Sequence, residues 1–252
     1  MTPGQKEVYF RFYEELNDFL PGICRKKEIC HKITGNPAVK DTIEAIGVPH
    51  TEVDLILING LSVEFDYQLQ DGDRISVYPV FESIDITPVI RLRPTPLRII
   101  KFICDVHLGK LARQLRMLGF DVLYERYYTD SEMIERALKG KRLILTRDQG
   151  ILKQKRVNHG YWIRSTQVQE QLFEVINKFD LCNQIKPFIR CMICNGLIKA
   201  VEKSQIIEFI KVNTARHYDE FFRCSTCNKI YWKGSHYKKM ENYIKRICYH
   251  AE

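Results

Sequence analysis

The 252-residue sequence has no run of apolar residues close to the roughly 20 that span a bilayer. Its N-terminus, MTPGQKEVYFRFYEELNDFL, lacks the basic and then apolar layout of a secretory signal, so we expect a cytoplasmic protein. Nine cysteines without an export signal do not indicate a disulfide framework. Hydrophobic residues make up 45% and charged residues 28%, which excludes wholesale disorder and a coiled coil.

The net charge of +8 is unevenly distributed along the chain. Residues 1–96 carry 10 basic and 15 acidic side chains, a net charge of −5, whereas the remaining residues carry 29 and 16, a net charge of +13. A basic second half favours contact with a polyanion such as a nucleic acid, although a solvated surface explains the charge equally well.

The first part of the sequence predicts a small mixed sheet with one helix. Strands are expected at 8–12, 55–58 and 75–79, helical segments at 14–19 and 37–47, and tight turns at 59–60 and 71–73. The order of these elements resembles the ubiquitin-like β-grasp fold of sulfur-carrier proteins. Sulfur carriers end in a free Gly-Gly carboxylate, which this segment lacks, so the resemblance implies a module that docks a partner.

Three prolines, Pro88, Pro94 and Pro96, indicate a linker, because each disfavours helix at the preceding residue. We therefore expect the ubiquitin-like domain at residues 1–87, the linker at 88–97, an α/β core at 98–182, and a cysteine-containing module with a basic tail at 183–252.

The second part of the sequence alternates strands and helices. Strands are expected at 99–104, 120–124, 142–146 and 161–163, and helices at 108–118, 130–139 and 168–179. Gly119 and Gly140 are expected to end the first two helices, and Thr129 with Glu132 predicts a capping box. Such alternation is typical of an α/β fold with a mostly parallel sheet covered on both faces.

Two aspartates lie where this fold places a ligand, and a third lies at the start of a helix. Asp105 and Asp148 follow two of the strands, and Asp130 opens a helix. Converging carboxylates repel one another unless a cation lies between them, and hard oxygen ligands suit Mg²⁺ or Mn²⁺. One or two such ions can activate water for phosphodiester cleavage. Alternatively, each aspartate is a turn or helix-start residue.

The helix after Asp105 carries basic side chains opposite its leucine stripe. Lys110, Arg113 and Arg116 are spaced three apart, which places them close to one face. This face could hold phosphates beside an acidic metal site, or it could simply be solvated.

Two Cys-x-x-Cys pairs provide four thiolates: Cys191, Cys194, Cys224 and Cys227. Four soft ligands predict a structural zinc site without an open position for water. A redox dithiol is the alternative, but no catalytic partner accompanies it. We expect a strand at 206–212 between the pairs, and a positive φ at Asn195 and Asn228.

Basic residues interleave with aromatic residues after the last cysteine pair. Trp232 could stack on an unpaired base, and His236 could contact phosphate. Both residues could instead have purely structural roles.

The segment 102–119 with Asp105, followed by Asp130 and then by Leu-Ile-Leu-Thr-Arg-Asp148, resembles the Mut-seven C-terminal RNase family. The cysteine pairs and the segment 231–236 belong to the same resemblance. It implies a PIN-like nuclease core with a zinc ribbon, in which Asp105, Asp130 and Asp148 hold Mg²⁺ or Mn²⁺ and act as catalytic residues. PIN domains commonly use four acids, and neither Glu132 nor Asp121 is assigned as the fourth.

The sequence and this resemblance predict a hydrolase, a metal-dependent, endonucleolytic ribonuclease, with structured RNA such as tRNA or rRNA precursors as candidate substrates. Its phosphate contacts are expected from Lys110, Arg113, Arg116 and Arg147. The main alternative is a non-catalytic RNA-binding adaptor whose ubiquitin-like domain recruits a protein partner. Sulfur transfer is disfavoured, because Asp105 is expected to raise the pKa of the neighbouring Cys104 thiol.

Overall fold

The computed structural model describes residues 5–79 and 100–249, and the predicted linker at 88–97 lies outside them. Within this part of the chain, residues 5–79 and 148–162 form one compact unit, and residues 100–147 and 163–249 form a second. The domain limits expected from the sequence stay predictions. No helix of the described residues has the length and apolar character needed to cross a bilayer.

The strands, in chain order, are β1 (Gln5–Phe12), β2 (Ile29–Thr34), β3 (Val53–Ile58), β4 (Leu61–Ser62), β5 (Arg74–Pro79), β6 (Phe102–Cys104), β7 (Val122–Leu123), β8 (Leu143–Thr146), β9 (Gly160–Trp162), β10 (Ile198–Val201), β11 (Phe221–Cys224) and β12 (Ile230–Trp232). The α-helices are α1 (Val39–Ile46), α2 (Gly109–Met117), α3 (Asp130–Gly140), α4 (Gln149–Leu152), α5 (Val168–Lys178), α6 (Val212–His217) and α7 (Ser235–Tyr249).

The first unit contains the expected mixed sheet, with strand order β2-β1-β5-β3-β4. Strands β1 and β5 are parallel and the other pairs are antiparallel. Val8, Phe10 and Phe12 are buried because alternate residues of β1 point to one face, and Val39 and Ile43 of α1 belong to the same core. The predicted ubiquitin-like β-grasp fold is confirmed.

The turn between β3 and β4 matches its prediction. Asn59 and Gly60 both have positive φ values, 52° and 86°, as a two-residue hairpin turn requires. The Asn59 side chain accepts a hydrogen bond from the Arg74 backbone N–H (3.0 Å) and donates one to Asp73 (2.9 Å). These bonds hold the turn against β5. Strand β2 was not predicted, because its polar residues show no clear alternation.

The segment 148–162 lies in the first unit, although the sequence places it in the second domain. The Glu52 carboxylate accepts a hydrogen bond from the Trp162 backbone N–H (2.7 Å), and His50 Nε2 lies 2.8 Å from the Val157 carbonyl oxygen. The Trp162 and Phe19 rings pack with centroids 4.9 Å apart. The ubiquitin-like fold therefore binds the segment that begins at Asp148.

The second unit contains the predicted parallel strands and the cysteine module. Strands β7, β6 and β8 lie side by side in this order and run parallel. Strands β10, β11 and β12 form a separate antiparallel sheet. Gly119 ends the helical segment with a φ of +97°, and a Cβ there would lie 2.1 Å from the Lys186 carbonyl oxygen, so only glycine fits.

The C-terminus of α3 differs from its prediction by one residue. Gly140 still belongs to the helix, and Lys141 takes the left-handed conformation, with φ 48° and ψ 56°. The Arg142 N–H bonds back to the Ala137 carbonyl, which requires the chain to turn at Lys141. The capping box of Thr129 and Glu132 is confirmed.

The strand expected at 206–212 is absent from the described structure. This stretch forms a single-turn 3-10 helix, Ile207–Phe209, and then enters α6. Ile207, Phe209 and Val212 are exposed, and β11 pairs instead with β10 and β12. The prediction was wrong because β-branched residues favour a strand only where a partner strand covers them.

Candidate functional site

Four cysteines converge in the second unit. The Sγ atoms of Cys191, Cys194, Cys224 and Cys227 all lie within 4.8 Å of one another. The Cys191–Cys227 distance is 3.6 Å and the Cys194–Cys224 distance is 3.4 Å. A tetrahedral zinc site with Zn–S bonds of about 2.3 Å has S–S edges of about 3.8 Å. The predicted cluster is therefore confirmed, and its donors and spacing fit a structural zinc ion.

Each cysteine pair lies on a tight backbone turn. The Asn195 N–H donates to the Cys191 carbonyl (2.9 Å), and the Asn228 N–H donates to the Cys224 carbonyl (3.2 Å). Asn195 and Asn228 have φ values of 69° and 60°, which confirms the expected left-handed positions. Asparagine tolerates this conformation better than most residues.

Tyr231 supports the cluster from outside. Its hydroxyl lies 3.0 Å from Cys191 Sγ. Burial opposes ionisation of Cys191, but hydrogen bonds from Tyr231 and from the backbone of Cys194 and Ile193 lower the pKa of its thiol to about 6. The Tyr231 contact therefore favours the thiolate form of this ligand. The sequence predicted the four ligands but not this contact, which depends on the pairing of β11 with β12.

The first cysteine turn is attached to the edge of the parallel sheet through Asp121. The Asn195 side chain donates to the Asp121 carboxylate (2.8 Å) and accepts from the Val122 N–H (3.1 Å). Arg142 and Arg190 form ion pairs with the same carboxylate at 2.7 and 3.4 Å. Burial raises the pKa of Asp121, but the bonds to Arg142 and Asn195 outweigh it and lower the pKa. Asp121 therefore has a structural role, which argues against it as a fourth metal ligand.

Asp105 lies at the carboxyl end of β6, and only 4% of it is exposed. Its Oδ1 accepts a hydrogen bond from the His107 N–H (2.8 Å), and its Oδ2 accepts bonds from the Thr146 hydroxyl (2.5 Å) and the Arg147 N–H (2.8 Å). These bonds connect the ends of the neighbouring strands β6 and β8. Since a carboxylate oxygen can accept two bonds, Oδ1 retains a position for a further ligand. The sequence did not identify Thr146, which is fully buried.

Asp130 and Asp148 are exposed at helix starts. Asp130 is the first residue of α3, and Asp148 caps α4 by accepting a hydrogen bond from the Gly150 N–H (2.7 Å). Asp105 and Asp130 belong to the second unit, whereas Asp148 begins the segment that belongs to the first unit. Glu132 bonds to Thr129 in the capping box, so its carboxylate is engaged in holding the start of α3.

Comparison with family models gives two matches. Residues 100–244, more than half of the chain, match the model described as Mut7-C RNAse domain. The chain belongs to the Mut7-C RNAse domain family. Residues 5–85 match the model described as Mut7-C ubiquitin, which agrees with the fold of the first unit. Searches of curated proteins and of solved structures found no match. The Mut7-C RNAse domain indicates a nuclease-like function.

One predicted RNA contact in the Mut7-C RNAse domain is wrong. Only 4% of Arg116 is exposed, and its guanidinium donates to the carbonyls of Val122 (2.9 Å), Ile193 (2.7 Å) and Met192 (3.4 Å). Residues spaced three apart do not lie directly above one another on an α-helix, so their side chains shift progressively around its axis. At Arg116 this shift places the side chain against the first cysteine turn. Arg116 therefore cannot contact RNA.

The other basic and aromatic candidates keep exposed surface. Lys110, Arg113 and His236 are exposed, and 39% of Trp232 is exposed. Arg147 is half-buried, and its guanidinium donates to the Ser165 carbonyl (2.7 Å). Their roles in RNA binding stay predictions.

Cys104 is buried directly before Asp105. Burial and then the Asp105 carboxylate raise the pKa of its thiol far above neutral pH. Such a thiol is a poor nucleophile, which argues against a sulfur-transfer role.

Proposed function

We propose that this protein is a cytoplasmic Mg²⁺- or Mn²⁺-dependent ribonuclease that cuts RNA endonucleolytically, with structured RNA such as tRNA or rRNA precursors as its substrate class. One observation carries the proposal. Within the matched RNAse domain, the Asp105 carboxylate is held at the carboxyl end of the parallel sheet by Thr146 and Arg147. Ligand sites of open α/β sheets lie at this edge.

Asp105, Asp130 and Asp148 are the proposed catalytic residues and metal ligands. Their carboxylates are the hard donors that Mg²⁺ and Mn²⁺ prefer, and Asp105 Oδ1 retains acceptor capacity. A divalent ion bound there would lower the pKa of a water molecule and stabilise charge on the phosphodiester.

Lys110, Arg113 and Arg147 are proposed to hold the RNA backbone. Lys110 and Arg113 are exposed on α2, the helix that follows Asp105. The bond from Arg147 to the Ser165 carbonyl orients its guanidinium. These cations would neutralise phosphates while the carboxylates bind metal. Trp232 and His236 are proposed as further RNA contacts, and zinc as the ion in the four-cysteine cluster.

Cleavage of end-labelled tRNA and of a single-stranded RNA with Mn²⁺ tests this proposal. Asp148→Asn is the informative variant, because asparagine can still cap α4 but removes the carboxylate charge. Asp180→Asn is a matched control, since Asp180 is exposed with a φ of 45° that asparagine tolerates. We expect cleavage by wild type and Asp180→Asn, and its loss in Asp148→Asn. Equal cleavage by all three proteins would exclude Asp148 from the reaction.

The second candidate function is a non-catalytic RNA-binding adaptor whose ubiquitin-like domain recruits a protein partner. The incomplete acidic set favours it, because the Asp121 carboxylate is engaged by Arg142 and Arg190 and is not available as a fourth metal ligand. In this case wild type and Asp148→Asn would bind RNA equally well, and neither would cleave it with Mg²⁺ or Mn²⁺.

A further inference from the structure

A cavity of about 340 Å³ lies in the second unit, between the antiparallel sheet, helix α7 and the segment before Cys191. We call it the aromatic pocket. The side chains that characterise its walls are Phe188, Phe222, Tyr231, Trp232, Tyr237 and Met240. Its volume lies within the range of small-molecule sites, about 300–1,000 Å³. None of the three proposed catalytic aspartates lines it.

The rings of the aromatic pocket are accessible. Trp232 is exposed at 39%, and Phe188, Phe222 and Tyr237 are half-buried. The Phe188 and Tyr237 rings lie 4.6 Å apart at an angle of 39°. Five aromatic side chains around one cavity provide several π faces for a flat ligand.

The charge around the aromatic pocket is positive. Arg190 and Lys233 contribute to its walls, but ion pairs with Asp121 (3.4 Å) and Glu220 (2.5 Å) already balance their charges. Lys238, Lys239, Lys245 and Arg246 are exposed on α7, the helix that supplies Tyr237 and Met240. A ligand that combines a flat ring with negative charge matches both the aromatic walls and the exposed cations of α7, whereas an uncharged apolar peptide would match only the walls.

We propose that the aromatic pocket binds an unstacked nucleobase of single-stranded RNA, with the adjoining phosphates along α7. The inference rests on the proposed ribonuclease function and adds a substrate-binding site apart from the acidic residues. Stacking on aromatic side chains tolerates all four bases, so this site would increase affinity without reading sequence.

Binding of the full-length, zinc-loaded protein to labelled oligonucleotides tests this proposal, with fluorescence anisotropy as the readout and no added divalent cation. The probes are a short single-stranded RNA and an abasic strand of the same length. The variants are Trp232→Ala, which removes a wall, and Ala200→Leu, which adds bulk at an exposed wall position. Phe209→Ala is the control, because Phe209 is 71% exposed in the same module but does not line the pocket.

We expect wild type and Phe209→Ala to bind the RNA more tightly than the abasic strand. Trp232→Ala should bind the RNA about 5-fold to 150-fold more weakly, the range for the loss of one stacked base, with unchanged affinity for the abasic strand. Ala200→Leu should also weaken RNA binding. Equal binding of both probes by wild type, or unaltered binding by both pocket variants, would overturn the proposal.

Cleavage by the same proteins separates this inference from the proposed function. Wild-type cleavage with unaltered RNA binding by Trp232→Ala would refute the pocket and leave the ribonuclease intact. Base-dependent binding that Trp232→Ala loses, without cleavage by wild type, would support the pocket and refute the ribonuclease.

Discussion

The Arg116 guanidinium donates a 2.7 Å hydrogen bond to the carbonyl oxygen of Ile193, 77 residues away in the chain. Arg116 belongs to α2, and Ile193 lies between the cysteines of the first pair. The bond therefore joins a helix of the nuclease core to a turn of the metal cluster. Together with the Asn195–Asp121 contact, it makes the cysteine module part of the second unit.

Arg116→Met should destabilise the second unit by about 3 kcal/mol. Each buried carbonyl that is left without a hydrogen-bond donor costs roughly 1–3 kcal/mol of stability. Arg113→Met, three residues earlier and exposed, should change stability by less than about 0.5 kcal/mol but weaken RNA binding. Urea unfolding followed by Trp232 fluorescence in a Trp162→Phe background measures the first effect. Equal stability of both variants would contradict a structural role for Arg116.

Removal of metal should destabilise the second unit. Metal analysis should find zinc in wild type and in Cys30→Ser, whose exposed thiol lies outside the cluster, but not in Cys224→Ser. A chelator should lower the unfolding temperature reported by Trp232, since a metal site that is absent from the unfolded chain stabilises the part of the protein that forms it. Zinc retained by Cys224→Ser would exclude a four-thiolate site.

Tyr231→Phe should reduce zinc affinity about 10-fold to 100-fold, as loss of a hydrogen bond to a ligand commonly does. The substitution removes only the hydroxyl that contacts Cys191 Sγ. Competition with a chromogenic chelator measures the affinity. Tyr127→Phe serves as the control, because Tyr127 is exposed and lies outside the cluster. If both variants hold zinc as tightly as wild type, the Tyr231 contact does not support the site.

Lys141→Gly should stabilise the second unit by about 1 kcal/mol, because glycine adopts the left-handed conformation of Lys141 without steric cost. The same change two residues earlier, Lys139→Gly, should destabilise by about 1 kcal/mol, since Lys139 lies inside α3. Denaturant unfolding of the two variants should thus give opposite signs. A loss of stability in both would show that the Lys141 side chain contributes more than its backbone strain costs.

The first unit should lose stability below about pH 6.5 through His50, which is 7% exposed. Burial and then the Lys40 ammonium lower the pKa of His50, and the opposing effects of Glu44 and the Val157 carbonyl are smaller. The unfolded chain therefore binds a proton at His50 more readily than the folded chain. The contribution of His50 to stability is present above about pH 6.5 and declines as the pH falls through the lower pKa that His50 has in the folded state.

Urea unfolding at about pH 7.5 and pH 5.5, followed by Trp162 fluorescence in a Trp232→Phe background, checks the His50 prediction. His50→Gln should show a smaller difference between the two pH values than wild type. An increase in wild-type stability at the lower pH would mean that the contacts with Glu44 and Val157 outweigh burial.

Much of the fold follows from local sequence patterns. The strand at 8–12, the Asn59-Gly60 turn and the Thr129 capping box were predicted correctly because each depends on residues close in sequence. The strand at 206–212 was wrong because pairing needs a partner that the local sequence does not specify. The end of α3 was misplaced by one position, because Lys141 rather than Gly140 takes the left-handed conformation that ends the helix.

The sequence by itself determined the four-cysteine cluster, since the ligand type and the spacing within each pair already define a tetrahedral site. It also placed Asp105 at a strand end. Only the tertiary structure decided that Arg116 binds carbonyls rather than solvent, that Thr146 and Arg147 hold Asp105, and that the segment after Asp148 packs on the ubiquitin-like fold. Burial and hydrogen-bond partners of these groups depend on residues distant in the chain, and no local pattern encodes them.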